Sequence, residues 1–340
     1  MTTEDRDELP RAHGGAALTA VLRSVPEDFL VEEILGYAAD GDGEHVLLDV
    51  EKRGANTEWV ARELARFAGV GPAAVGFAGL KDRQALTRQA FSVQLAGRPE
   101  PDWSTFPHAE VHVLSSARHR RKLKRGALAG NRFTLVLRNV AGDRDRAGQV
   151  LAAIASRGVP NYFGEQRFGH GGANVERARA MFAGRRVDRT TRSMLLSAAR
   201  AHLFNGVLAE RVRRNAWDQA LDGEIWCLAG SHSWFGPEAY TPALQQRLAA
   251  GDIHPSGPLW GRGGLPTQGE ARAIEDAIIK DHADLAEDLE RAGLDQDRRP
   301  LRLLPTGLDW HWQDEGTLRL QFALPAGAYA TVVVRELATT

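Results

Sequence analysis

The chain has 340 residues, with 43 Lys plus Arg against 44 Asp plus Glu and 43% hydrophobic residues. That length suits two domains and that apolar fraction suits real cores, which excludes a disordered chain. Uncharged apolar runs such as 328–334 fall far short of the ~20 residues of a spanning helix. The first fifteen residues hold no apolar leader core, and one cysteine, Cys227, can form neither an internal disulfide nor a thiolate metal cluster. A cytoplasmic protein in a reducing compartment is expected. A formal charge of −1 argues against an indiscriminate polyanion binder but leaves room for a basic cleft balanced by acidic surface elsewhere.

In chain order, residues 1–15 have no hydrophobic period and read as a disordered tail. Strand-like stretches follow at 17–23, 29–34 and 45–52, the last with Val46, Leu48 and Val50 alternating, and Pro26 fixes a turn between the first two. A helix is predicted from an N-cap at Asn56 or Thr57, with Val60, Leu64 and Phe67 on one face and Gly69 ending it. Alternation returns in Phe91, Val93 and Leu95, in Val111 and Val113, and in Phe133, Leu135 and Leu137, as half-buried strands of one sheet. Residues 143–157 place Ala147, Val150, Leu151 and Ile154 on one helical face, closed by Gly158. The texture then changes to long helices at 175–182, 190–214 and 271–291, with a stretch rich in Gly and Pro at 231–268. Leu318, Leu320, Phe322 and Leu324 alternate again. The pattern predicts a strand-rich domain made from both ends of the chain, with a helical insert at about 158–303.

Gly71 and Gly76 have the spacing of a phosphate loop, but Phe77 and Ala78 stand where Lys and Ser/Thr are needed, so no nucleotide site is expected there. The eleven histidines form no cluster at ligand spacing, and Trp310-His311-Trp312 reads as a half-buried strand. The densest charge run holds Arg118, Arg120, Arg121, Lys122, Lys124 and Arg125. With few acids between 111 and 139, it is either a phosphate-binding surface or a solvated face. In Gly76-Phe77-Ala78-Gly79-Leu80-Lys81-Asp82-Arg83, glycines allow a tight turn and close approach, and Asp82 stands between two cations. Positive neighbours keep a carboxylate ionised, as a nucleophile requires. A simple turn ion pair is the competing reading.

Residues 79–89, Gly-Leu-Lys-Asp-Arg-Gln-Ala-Leu-Thr-Arg-Gln, resemble the catalytic motif of the TruD family of tRNA pseudouridine synthases. Blocks at 26–33, 117–123, 130–138, 158–169 and 324–337 resemble further family blocks in family order. The resemblance implies an α+β fold. A pseudouridine synthase core with a mixed, largely antiparallel sheet would comprise 16–157 with 304–340, and an inserted α/β TRUD domain 158–303. It also implies that 328–337 is helical, although its β-branched residues look strand-like.

The implied activity is isomerisation of uridine-13 in the D arm of tRNA-Glu to pseudouridine. No cofactor, metal or obligate protein partner is expected. By similarity, Asp82 is the catalytic aspartate, and Phe29, Asn131 and Tyr329 contact the target nucleotide. Tyr329 replaces an expected phenylalanine, so its hydroxyl needs a partner. Phe133 takes the place of the ring beside the target base. Arg23 and Lys81 would stabilise Asp82 or the departing uracil, and Arg185, Arg186 and Arg189 of the insert would help the basic run hold phosphates. Attack at C1′ and proton removal at C2′ both suit Asp82. The competitors are a non-catalytic tRNA-binding or chaperone protein on the same fold, and a retaining glycoside hydrolase, for which the motif lacks a second carboxylate.

Overall fold

Alternating apolar and polar residues build one part of the chain as a sheet with one buried face. The computed structural model describes residues 9–340, which divide into two units. The first unit holds Leu18–Asp143 and Pro305–Gly327 with the last two residues. The second holds Arg144–Leu304 with the residues up to Ala17 and Ala328–Ala338.

In the first unit, β1 (Leu18–Leu22), β2 (Phe29–Ile34), β3 (His45–Arg53), β4 (Val75–Phe77), β5 (Leu86–Gln94), β6 (Val111–His119) and β7 (Gly130–Gly142) join the strands Thr306–Trp312 and Leu318–Pro325. The sheet order is Thr306–Trp312, Leu318–Pro325, β7, β2, β5, β3, β6, with β1 also on β7 and β4 on β5. β2 pairs with β5 in parallel, through Leu30↔Leu86 and Val31↔Thr87, while β7 runs antiparallel to β1, β2 and Leu318–Pro325 and β3 runs antiparallel to β5 and β6, so the sheet is mixed and largely antiparallel. Register carries one face across the strands: Val31 opposes Phe133, which opposes Phe322. On β3 the same face presents Val46, Leu48 and Val50, buried with Phe91 and Val93 under Val60 and Leu64 of α1 (Thr57–Phe67). Asn56 caps α1, its side chain accepting from the Glu58 N–H at 2.9 Å, and Gly69 takes φ 64° just beyond the helix end.

β1 and β2 both pair with β7, β1 through Val21↔Arg138 and β2 through Phe29↔Leu135. The chain must therefore swing out and return between them. Arg23 makes the swing at φ 65°, a region non-glycine residues rarely adopt. Asp28, buried, holds the return: its carboxylate accepts guanidinium hydrogen bonds from Arg138 at 2.8–3.0 Å and one from the Val25 N–H at 3.2 Å.

The second unit packs α3 (Asn174–Phe182), α4 (Arg189–Arg213) and α7 (Ala283–Arg291) around Leu195, Leu203, Leu285 and Leu289. The stretch rich in Gly and Pro contains regular elements, α5 (Pro242–Ala250) and the strands Trp234–Phe235 and Ile253–Leu259. With Trp226–Leu228 and Asp297–Pro300 these form a four-stranded sheet. The single helix expected at 271–291 is two, α6 (Gly269–Asp281) and α7, broken at His282 with φ −129° and ψ 35°. Nothing in the sequence period marks this break, because Ala271, Ile274, Leu285 and Leu289 fall in phase. The His282 ring instead meets the edge of His202 at 4.8 Å.

One expectation differs from the structure. Part of the expected 1–15 tail is anchored: Ala12 donates its N–H to Glu336 at 2.7 Å, Tyr162 donates its hydroxyl to the Pro10 carbonyl at 3.2 Å, and the His13 ring meets Trp217. Residues 1–8 of that tail lie outside the described residues. The strand-like 328–337 stretch is α8 (Ala330–Leu337), as the family resemblance implied, because burying Val332, Val333, Val334 and Leu337 outweighs β-branched propensity. Helix α2 (Arg144–Arg157) and α8 pack against each other in the second unit.

Gly76 on β4 is tightly enclosed. A Cβ there would lie 2.3 Å from the Leu123 carbonyl oxygen and 2.8 Å from Ser92 Oγ. Because the first obstacle is backbone, Gly76→Ala should destabilise the protein by about 2–4 kcal/mol, measured by urea denaturation. Gly71→Ala, where nothing lies within 4 Å, should leave stability near wild type.

Candidate active site

The loop between β4 and β5 carries Asp82. Its carboxylate is 29% exposed; Oδ2 lies 3.4 Å from Arg23 Nη2, and Oδ1 accepts from the Gln84 N–H at 3.0 Å. The left-handed backbone at Arg23 thus lets its guanidinium serve two partners, since its Cζ also lies 4.1 Å from the Phe29 ring centroid. The expected pairing of Arg23 with Asp82 is present.

Lys81 is used differently from expectation. Its Nζ lies 2.5 Å from Glu33 Oε2, and both side chains are nearly inaccessible, at 7% and 1%. Its ammonium is therefore committed to β2, and its effect on the loop is to anchor it. The Lys81 N–H donates to Thr57 Oγ1 at 3.1 Å, that hydroxyl donates to Gln89 Oε1 at 3.0 Å, and Gln89 Nε2 donates to the Gly79 carbonyl at 3.3 Å. A second lysine approaches from below. Lys52, fully buried at the end of β3, donates to the carbonyls of Ala55 at 2.8 Å and of Asp82 itself at 3.4 Å. Burial pushes its ammonium down to about 8, opposed by the Asp82 charge and reinforced by Lys81.

Glu33, Lys52, Thr57 and Gln89 are the residues that motif reading missed. The signal was present in the alternation. Lys52 continues Val46, Leu48 and Val50, Glu33 continues Phe29 and Val31, and Gln89 continues Leu95, Val93 and Phe91. A charged or amide residue that falls in phase with an apolar strand face is a buried polar group, and it needs a partner.

Phe29 and Phe133 are both buried and meet edge to face at 6.2 Å and 78°. Phe133 also contacts Phe322 at 5.7 Å, so its ring belongs to the sheet core as well as to the site. Asn131 opposes Glu33 across β2 and β7, and its Oδ1 is buried without a hydrogen-bond partner among the described residues. An amide in that state is suited to pairing with the donor and acceptor edge of a base. Tyr329 belongs to the second unit, where its hydroxyl accepts from Arg167 Nη2 at 3.0 Å and its ring meets the edge of Phe163 at 6.4 Å. That bond gives the added hydroxyl the partner it needs.

The basic run is more neutralised than its sequence suggests. Acids from elsewhere pair with it: Arg118 with Glu100 at 3.1 Å, Arg120 with Asp42 at 2.8 Å and Arg125 with Glu58 at 3.2 Å. Lys122 donates to the Ala73 carbonyl. Among the described residues, Arg121 and Lys124 have no ion-pair partner, and both are exposed. The backbone of the run also supports the Asp82 loop, since the Leu123 N–H donates to Ser92 Oγ at 2.8 Å and the Gly126 N–H to the Ala78 carbonyl at 2.7 Å. In the second unit, Arg185, Arg186 and Arg189 are exposed around the start of α4. Trp310-His311-Trp312 lies in a half-buried strand, as expected. Among the described residues, no three His, Cys, Asp or Glu side chains group to hold a metal, and no helix is long and apolar enough to cross a membrane.

A family profile, tRNA pseudouridine synthase D (TruD), matches residues 13–177 and 173–337. The tRNA pseudouridine synthase D of Xanthomonas euvesicatoria pv. vesicatoria is 52% identical over 346 residues, covering 97% of this chain and 94% of that protein. The protein of the same name from Methylococcus capsulatus is 49% identical over 333 residues, with 97% and 94% covered. The solved TruD structure from Methanosarcina mazei shares the fold, with a TM-score of 0.74 at 22% identity over 96% of this chain and 95% of that one.

The Lys81–Glu33 pair should behave as a buried ion pair. Lys81→Met or Glu33→Gln alone is expected to destabilise by about 3–5 kcal/mol, because the remaining group keeps its burial and loses its partner. The double substitution should fall well short of the sum. Urea denaturation of the four proteins measures the coupling.

Proposed function

The chain belongs to the TruD family of tRNA pseudouridine synthases, and on that premise we propose that Asp82 is the nucleophile that isomerises a uridine of tRNA, uridine-13 in the D arm of tRNA-Glu, to pseudouridine. The observation that carries this reading is the convergence of Asp82, Arg23 and Phe29. A partly exposed carboxylate is held at both oxygens, with a guanidinium spanning from it to an aromatic ring.

The chemistry sets the requirements. A uridine inside a folded RNA hides its glycosidic bond, so the nucleotide is extruded at a cost of a few kcal/mol, offset by contacts made to the flipped base. Phe29 and Phe133 border the place where that base would sit, Asn131 supplies an amide for its edge, and Tyr329 adds a contact by similarity to the family. Asp82 either attacks C1′ or removes the C2′ proton. In both routes the N1–C1′ bond breaks, the uracil rotates, a C1′–C5 bond forms and the C5 proton leaves; in the first the Asp82–C1′ bond breaks as C5 takes its place, and in the second the proton held by Asp82 returns to C2′. The reaction is redox-neutral, so no external oxidant or reductant enters. Arg23, beside the carboxylate, is placed to balance the negative charge that passes between Asp82 and the departing uracil. Lys81 acts through Glu33 to hold the loop. The domain reading is part of this proposal: residues 16–157 with 304–340 serve catalysis and 158–303 form the TRUD insert.

Asp82→Asn should abolish tritium release from tRNA carrying C5-labelled uridine while leaving the melting temperature and tRNA affinity near wild type. Turnover within tenfold of wild type would overturn the assignment, and wild-type protein that binds tRNA without releasing tritium would be the non-catalytic alternative. Mapping the product by primer extension on tRNA-Glu tests the position.

The ion pairs of the basic run refine how phosphate is held. Arg121→Gln with Lys124→Gln should lower the slope of log K against log salt by ~0.7–0.9 for each phosphate that is no longer neutralised, with turnover at saturation preserved. Arg120→Gln should change it less, because Arg120 is already paired with Asp42. Equal slopes in all three proteins would place the RNA path elsewhere.

A further inference from the structure

Lys52 is a charged side chain at zero exposure, at a position where the strand period calls for an apolar residue. Burying an ammonium is unfavourable unless it is matched by partners of equal quality. Its hydrogen-bond partners are two backbone carbonyls, Ala55 O and Asp82 O, and among the described residues no carboxylate is bonded to it directly. Two neutral acceptors require only a neutral donor, so the charge itself calls for another explanation.

The surroundings supply one. The turn between β3 and α1 is stitched to the Asp82 loop at three points. Lys52 donates to the Asp82 carbonyl, Arg83 Nε donates to the Gly54 carbonyl at 3.0 Å, and the Lys81 N–H donates to Thr57 Oγ1 at 3.1 Å. Of these, the Lys52 hydrogen bond reaches the main chain of Asp82 itself. The charged groups acting on Lys52 are Asp82 and Lys81, and Lys81 is already paired with Glu33. The neighbours of Lys52 across the ladder, Thr87 on β5 and Val111 on β6, carry no charge. Glu51 and Arg53 alternate onto the opposite face of β3. Among the described residues, the Asp82 carboxylate is therefore the negative charge that acts on this ammonium.

We propose that Lys52 is a positioning residue for the reaction: its buried ammonium fixes the backbone of Asp82 against the β3–α1 turn and holds a positive charge beneath the carboxylate. This rests on the reading of Asp82 as nucleophile. Fixed charge in a desolvated site acts on the transition state without having to reorganise, and a loop held at the nucleophile's own carbonyl keeps the carboxylate within reach of the ribose. Neutral Lys52 would still donate to both carbonyls but would no longer supply the charge. Because burial lowers its titration to about 8, turnover should fall as pH rises through that value, with little change in binding.

The test measures kcat, KM and tRNA dissociation constant from about pH 6.5 to about 9.5 for wild type, Lys52→Met, Lys52→Arg and Asp82→Asn, with melting curves for each. Wild type should lose at least fivefold in kcat on the alkaline side with KM changed less than threefold. Lys52→Met should be at least tenfold slower at neutral pH and flat across the range. Lys52→Arg, whose charge persists, should recover part of the neutral rate and lack the alkaline fall. An alkaline limb of the same shape in all the active proteins would assign it to the uracil and overturn the proposal, as would Lys52→Met turning over within twofold of wild type. If Lys52→Met does not fold, the comparison of wild type with Lys52→Arg decides, and a wild-type rate that stays flat through pH 9.5 overturns the proposal. Active Asp82→Asn would remove the nucleophile reading and this inference with it. Inactive Asp82→Asn beside fully active Lys52→Met would remove this inference alone.

Discussion

The register of β3, β5, β2 and β7 carries Lys52, Gln89, Glu33 and Asn131 to a face of the sheet that is mostly apolar. Each such group gives up hydration and must find a partner inside the protein. Most of them find it in the loop between β4 and β5. Glu33 takes the Lys81 ammonium, Gln89 takes the Gly79 carbonyl through its amide, and Lys52 takes the Asp82 carbonyl. A loop that satisfies buried groups of the sheet cannot move without exposing unmet donors and acceptors, so the sheet fixes it. Asn131 differs in that its amide oxygen finds no partner among the described residues. That is the state suited to a group that meets a substrate.

The same constraint explains the turn between β1 and β2. Two strands on one edge of β7 require an excursion and a return. The return is held by Asp28 with Arg138, and the excursion by a left-handed Arg23. Strain of this kind, about 1–3 kcal/mol for a non-glycine residue, persists where the surroundings fix it. Here the result is a guanidinium set between Asp82 and the Phe29 ring, two groups that the chain supplies from the β4–β5 loop and from β2.

The basic run shows why charge density along a chain is an incomplete guide to charge at a surface. Its backbone props the Asp82 loop through Leu123 and Gly126, and close packing there requires Gly76. Three of its arginines meet acids that are remote in sequence. What remains for a polyanion is a smaller set of exposed cations, in keeping with a chain whose net charge is close to zero.

Much of the fold was legible locally. Alternation marked β2, β3, β5 and β7, Asn56 and Gly69 bounded α1, and Gly158 closed α2, because period and capping are properties of neighbouring residues. The glycine-bounded loop and its aspartate were legible for the same reason, as were Arg23 and the ring positions once the family resemblance was recognised. The break at His282, the helix at Ala330–Leu337, the anchoring of residues 9–13 and the assignment of Lys81 to Glu33 were decided by tertiary structure. In each case local preference is worth tenths of a kcal/mol to about 1 kcal/mol per residue, and burial against distant partners is worth more. Sequence determined which residues would be polar in an apolar row. Only the pairing of strands determined which of those residues would share a site, because a partner is set by register across the sheet and not by distance along the chain.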